Sequence, residues 1–165
     1  MDIPRRFWKW RSQTWVVIAL GFTAILIALI TSYALATFRP TVQVKVGSSG
    51  IYNLWVADTD ASLYQGLSGV SDLPRGGGLL MDFKIEGIHG ISMRKMIIPI
   101  DAVWVNESKR VVYIVKNIPP ELGDKKSFFP KDPARYILEL PAGSVSNSAI
   151  KVGDKVNFDL SELSI

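Results

Sequence analysis

The chain has 165 residues, room for one ordinary domain plus an appendage, with 48% hydrophobic side chains and a formal charge of +4. That charge is local: Arg5, Arg6, Lys9 and Arg11 against Asp2 supply +3, which leaves 15 basic and 14 acidic residues from Arg39 onward. A remainder so nearly neutral excludes a phosphate-neutralising face for nucleic acid, and the absence of cysteine excludes disulfides, thiolate nucleophiles and zinc–thiolate sites.

Residues 1–11 form a basic tail, expected in the cytoplasm. Ser12 to Phe38 then runs for 27 positions without a charge, more than the roughly 20 apolar residues needed to span a bilayer as a helix. Trp8, Trp10 and Trp15 at one end, with Tyr33 and Phe38 at the other, read as the two interfacial aromatic belts. Four cations precede the run and only Arg39 closely follows it. By the positive-inside tendency, residues 12–38 are a transmembrane signal anchor and residues 39–165 an extracytoplasmic domain of a single-pass cell-membrane protein. The rival is secretion after cleavage near Ala36, because Ala34-Leu35-Ala36 is a small-x-small site.

Beyond Arg39-Pro40 the period changes. Val42, Val44 and Val46 alternate with polar residues, as in a half-buried strand. Gly47 to Gly50 is turn chemistry, and Ile51 to Ala57 reads as the returning strand of a hairpin. Asp58-Thr59-Asp60 offers cap oxygens to a short helix near Ala61 to Leu67. Gly69 to Gly78 reads as a loop, Leu79 to Phe83 and Ile88 to Met93 as strands, and Ala102 to Val105 and Arg110 to Val115 as the clearest pair. Ile118 to Pro133 reads as a long exposed loop, and Tyr136 to Leu140 as a strand. A helical turn at Val145 to Ala149 and a last strand at Lys155 to Leu160 follow. The fold class is therefore mainly β, a mostly antiparallel barrel or sandwich with one or two short helices, plus the N-terminal transmembrane helix.

These stretches together resemble the family known as "domain of unknown function 192". The resemblance rests on Val56-Ala57-Asp58-Thr59, Gln65-Gly66-Leu67, Leu73-Pro74 and Gly78 to Phe83. It continues through Met93 with Ile98-Pro99-Ile100-Asp101, Ala134 to Gly143, and Ile150 to Asp154. The order and spacing are specific rather than any one element. Where the family usually reads Phe-Trp-Met-Lys-Asn-Thr, this chain has Ile91-Ser92-Met93-Arg94-Lys95-Met96, keeping the Met and a basic residue. The resemblance implies a compact β-rich fold and no assigned activity.

The residues offer few catalytic sets. His89 is the sole histidine and lies between Gly87 and Gly90, without a nucleophile motif or a second imidazole to complete a triad or metal site. Gly76-Gly77-Gly78 lacks the lysine and hydroxyl of a phosphate loop. Asp101 and Glu139 stand out because both sit in apolar stretches. As a pair they would serve carbohydrate hydrolysis; as satisfied groups, Asp101 would accept backbone N–H bonds and Glu139 would pair with Arg135. The leading expectation is a non-enzymatic cell-envelope binding or interaction module with ligand contacts at Met93, Arg94, Asp101, Arg135 and Glu139, and with no cofactor or metal. The alternatives are a carbohydrate-active hydrolase using Asp101 and Glu139, or a structural partner of another membrane protein. Expected partners are the lipid bilayer through residues 12–38 and an envelope glycan or a second membrane protein.

Overall fold

A computed structural model describes the backbone of residues 6–37 and 39–161, and the side chains of residues 15–31 and 39–161. The chain divides into two units, Met1–Arg39 and Pro40–Ile165.

The first unit is a helix, α1, at Arg6–Thr37. Its side chains are described over the stretch of residues 15–31. Among the described residues no helix is long and apolar enough to cross a membrane. The expected aromatic belts at Trp8, Trp10, Tyr33 and Phe38 lie outside the described side chains. Within the stretch, Thr23 donates its hydroxyl to the Leu20 carbonyl at 2.8 Å and Thr31 donates to that of Ile27 at 2.9 Å.

The second unit is built on a seven-stranded sheet. Its strands are β1 (Thr41–Val46), β2 (Gly50–Ala57), β3 (Gly77–Gly87), β5 (Ile100–Val105), β6 (Val111–Ile118), β8 (Ala134–Pro141) and β9 (Val156–Asn157), in spatial order β6-β5-β8-β3-β2-β1-β9. A separate pair joins β4 (Ile91–Ser92) to β7 (Ser127–Phe128). Two short helices, α2 (Asp60–Gln65) and α3 (Ser144–Asn147), complete the set with a 3-10 turn at Pro120–Leu122. β2 and β3 run parallel with α2 in the crossover, and the other pairs are antiparallel.

The sheet curls until its outer strands meet. Beyond β9's pairing with β1, Val111 donates to the Asp154 carbonyl at 2.9 Å, Gly153 to that of Val111 at 2.8 Å, and Val156 to that of Lys109 at 2.8 Å. The last segment therefore bridges the first strand and the start of β6, which closes one end of a half-barrel. Inside the curl, Val42, Val44, Val46, Leu54, Leu80, Val103, Tyr136, Leu138 and Leu140 form one apolar core. On the outer face Leu79, Met81, Ile91, Met93, Trp104 and Ile137 form a second, covered by α2, β4 and β7. Consequently β5 is buried along its whole length, which is why its sequence shows no alternation.

Several sequence expectations shift. The segment 118–133 is not all loop, because Ser127 and Phe128 pair with Ser92 and Ile91. Of the Gly76-Gly77-Gly78 run, Gly77 and Gly78 open β3 instead of ending a loop. A side chain on Gly78 would run into the Glu139 carbonyl and Leu54, so close approach of strands demands glycine there. His89 is half-buried, stacked on Phe83 with ring centroids 4.0 Å apart, and its Nε2 lies 2.8 Å from the Ile85 carbonyl. Trp104 is fully buried and donates its indole N–H to the His89 carbonyl at 2.8 Å.

Candidate functional site

The site is assembled around α2 and the turn that follows it. Thr59 caps the helix: its hydroxyl accepts from the Ser62 N–H at 3.2 Å, while the Ser62 hydroxyl accepts from the Thr59 N–H at 3.0 Å. This is a capping box with serine in the position usually held by an acid or amide. The helix ends at Gly66, whose φ of +51° and ψ of −134° suit a residue without a Cβ. The chain is then fastened to the segment after β4. The Ser68 hydroxyl donates to the Arg94 carbonyl at 2.8 Å, and the Gly69 N–H donates to that of Lys95 at 2.8 Å.

Between these walls lies a cavity of about 340 Å³. One side is α2 and its turn, from Leu63 to Ser68; the other is Gly90, Ile91, Ser92, Arg94 and Met96. Met81 from β3 and Glu139 from β8 also line it. The lining is half apolar, with a carboxyl group, a guanidinium and hydroxyls set among leucine, isoleucine and thioether groups.

Glu139 is 4% exposed, and its Oε2 is buried without a hydrogen-bond partner. Burial pushes its carboxyl up to about 7, with the Leu67 N–H acting weakly the other way. Arg94 at the rim is half-buried. Its Nη2 donates to the Tyr64 carbonyl at 2.6 Å, and its guanidinium lies 4.1 Å from the centroid of the Tyr64 ring. Tyr64 itself is 73% exposed.

Of the five residues named from the sequence, Arg94 and Glu139 meet at this cavity. Met93 is fully buried in the outer core beneath it. Asp101 is elsewhere: fully buried, it accepts from the Asn117 N–H at 2.7 Å and the Val145 N–H at 2.8 Å. In the pairing of β5 with β8, Ala102 lies opposite Glu139 and Asp101 opposite Leu140. Side chains alternate along a strand, so the two carboxyls point to opposite faces of the sheet and do not form an acid/base pair.

Arg135 does not reach Glu139 either. Its Nε contacts Asp82 Oδ1 at 3.0 Å and its Nη1 contacts Glu107 at 3.4 Å, while Lys84 Nζ bridges Asp82 at 3.2 Å and Asp58 at 3.0 Å. Burial alone would raise the Asp82 carboxyl, but hydrogen bonds from Arg135 and from the Lys84 backbone and ammonium outweigh it and hold the group below its usual range. This network is satisfied within itself. Sequence reasoning missed Tyr64, Ser68, Ser92 and the lining roles of Met81 and Met96. The Gly at position 66, following a capped helix, was the one local signal of a special backbone beside a site.

Residues 42–158 match the DUF192 family, described as "Uncharacterized ACR". A UPF0127 protein of Pyrococcus furiosus is 32% identical over 72 residues, which cover 44% of this chain and 55% of that one. The chain thus spans about half the length of that relative. A UPF0127 protein of Thermococcus gammatolerans is 26% identical over 107 residues, 65% of this chain and 67% of that one. Among solved structures, a Sinorhizobium meliloti protein described as a candidate transcription regulator superposes with a TM-score of 0.68 at 20% identity, over 73% of this chain and 95% of that one. That likeness carries the fold alone. A Novosphingobium aromaticivorans protein of unknown function gives 0.66 at 27% identity, over 71% and 84% of the respective chains.

Proposed function

We propose that this chain, which belongs to the DUF192 family, is a small-molecule-binding module held at a membrane by α1. One observation carries the binding reading: Glu139, whose Oε2 is buried and unpartnered, lines a cavity large enough for a small ligand. Buried polar atoms in folded proteins almost always find a partner. A group left without one beside an open cavity is suited to a partner that arrives from solution. Binding is favoured over turnover because no second carboxyl and no imidazole lines the cavity to activate its serine hydroxyls, while Asp101 is committed to two backbone amides on the other face.

Support for the membrane part comes from the helix and its sequence. α1 has 32 residues, about 48 Å at 1.5 Å per residue, and positions 12–38 carry no charge. The hydroxyls of Thr23 and Thr31 are satisfied by carbonyls of the preceding turn, as a hydrocarbon surrounding requires. The cations before the run favour a cytoplasmic N-terminus with the sheet domain outside, facing the cell envelope; cleavage near Ala36 is the rival outcome.

The binding reading is tested by titrating a set of small polar molecules into the ¹⁵N-labelled protein. Ligands that move the amide resonances of Gly66, Leu67 and Ser92, and lose that effect in Glu139→Leu, would uphold it. Shifts that cluster away from the cavity would sink it.

A further inference from the structure

The two charged groups of the cavity specify more than a generic ligand. Glu139 brings one carboxyl to the lining, and Arg94 brings one guanidinium with a single hydrogen bond, to the Tyr64 carbonyl. Neither is neutralised by the other half of a protein ion pair: the salt bridges among the described residues run between Lys84, Asp58, Asp82, Arg135 and Glu107. The lining therefore presents an acceptor of cations and a fork of anion-binding donors, with apolar surface from Leu63, Met81 and Ile91. A ligand with a single charge would satisfy one group and oppose the other. A ligand with both satisfies the two together, and complementary charge is what selects a partner.

We infer that the cavity takes a small zwitterion, its ammonium directed to the Glu139 carboxylate and its anionic group to the Arg94 guanidinium. The inference rests on the binding reading above and narrows it to a ligand class. At about 340 Å³ the space suits a molecule of amino-acid size, not a polymer chain. A free α-amino acid and an ethanolamine phosphate headgroup share this chemistry, so the test carries an arm for each.

The experiment is calorimetric titration of the full chain in detergent micelles with leucine and with phosphoethanolamine, beside N-acetylleucine, isopentylamine and glucose. Amide shifts at Gly66 and Leu67 report on the cavity in parallel. The expected result is that at least one zwitterion binds and moves those amides. For the amino-acid arm, both N-acetylation and loss of the carboxylate weaken binding at least tenfold. Glu139→Gln and Arg94→Gln each weaken the zwitterion at least tenfold, and the half-exposed Arg94 gives a variant that keeps the fold if Glu139→Gln does not.

N-acetylleucine binding as well as leucine overturns the inference, because the ammonium would then contribute nothing. Glucose moving the cavity amides while neither zwitterion does overturns it too, yet leaves the small-molecule pocket standing. If none of the five probes moves them, the inference falls, and failure of the wider set of polar molecules would take the binding reading with it.

Discussion

Glu139 and Asp101 are neighbours in register yet opposite in consequence. Glu139 is raised to about 7 by burial, so the folded state holds its proton more tightly than the unfolded chain does. Its stabilising contribution is complete below the unfolded value near 4.5 and disappears as pH rises through about 7. The displacement corresponds to roughly 3 kcal/mol. Urea unfolding at pH 5 and pH 8 is therefore expected to show a loss of that order in the wild type which Glu139→Gln abolishes; an unchanged pH dependence in the variant would count against the buried carboxyl. Asp101 acts in the other direction, as a brace. It links β5 to the end of β6 and to the first turn of α3 through two backbone N–H groups. Asp101→Ala leaves the Val145 amide buried without an acceptor and frees that of the exposed Asn117, which should cost about 2 kcal/mol, with ligand affinity of the folded fraction unchanged.

At the scale of elements, the turn after α2 couples backbone to site. Gly66 holds a conformation costly for other residues, and a Cβ there would sit 3.7 Å from Glu139 Oε2. Gly66→Ala should lower stability by about 1–3 kcal/mol and weaken ligand binding in protein that remains folded, measured as midpoint shift and titration side by side. The sequence shows such elements unevenly. Alternating valines reveal β1, because one of its faces is exposed. β5 and β8 are covered on both faces, so their apolar runs declare strands without saying which side chain meets which core. That is why Asp101 and Glu139 look like partners in the sequence and are separated by the sheet. β7 is two residues long, too short for any period, and it is legible only through its pairing with β4. The parallel contact of β2 with β3 depends on tertiary closure and leaves no local trace. Of the site, Arg94 and Glu139 stand out in the sequence singly and not as a pair, since Glu139 there points to Asp101 or Arg135; Tyr64 and Ser68 are hidden because their role arises from where α2 lands.

On the scale of the whole molecule, the sheet unit carries two apolar cores of its own. The expected separation of duties is direct. Full-length protein should remain with membranes through alkaline carbonate extraction, whereas Pro40–Ile165 alone should be released and still unfold cooperatively; extraction of the full-length chain would remove the anchor from the proposal. The half-barrel also imposes an order of events. Val46 pairs with Val156, 110 positions later, and the same final segment bonds to Val111. Contacts so distant along the chain form slowly, and these await the segment that carries Val156. Until then the edge of β1 is unpaired and the inner core stands open. A sheet built this way works as a clasp: whatever holds those two segments apart leaves its inner face wet.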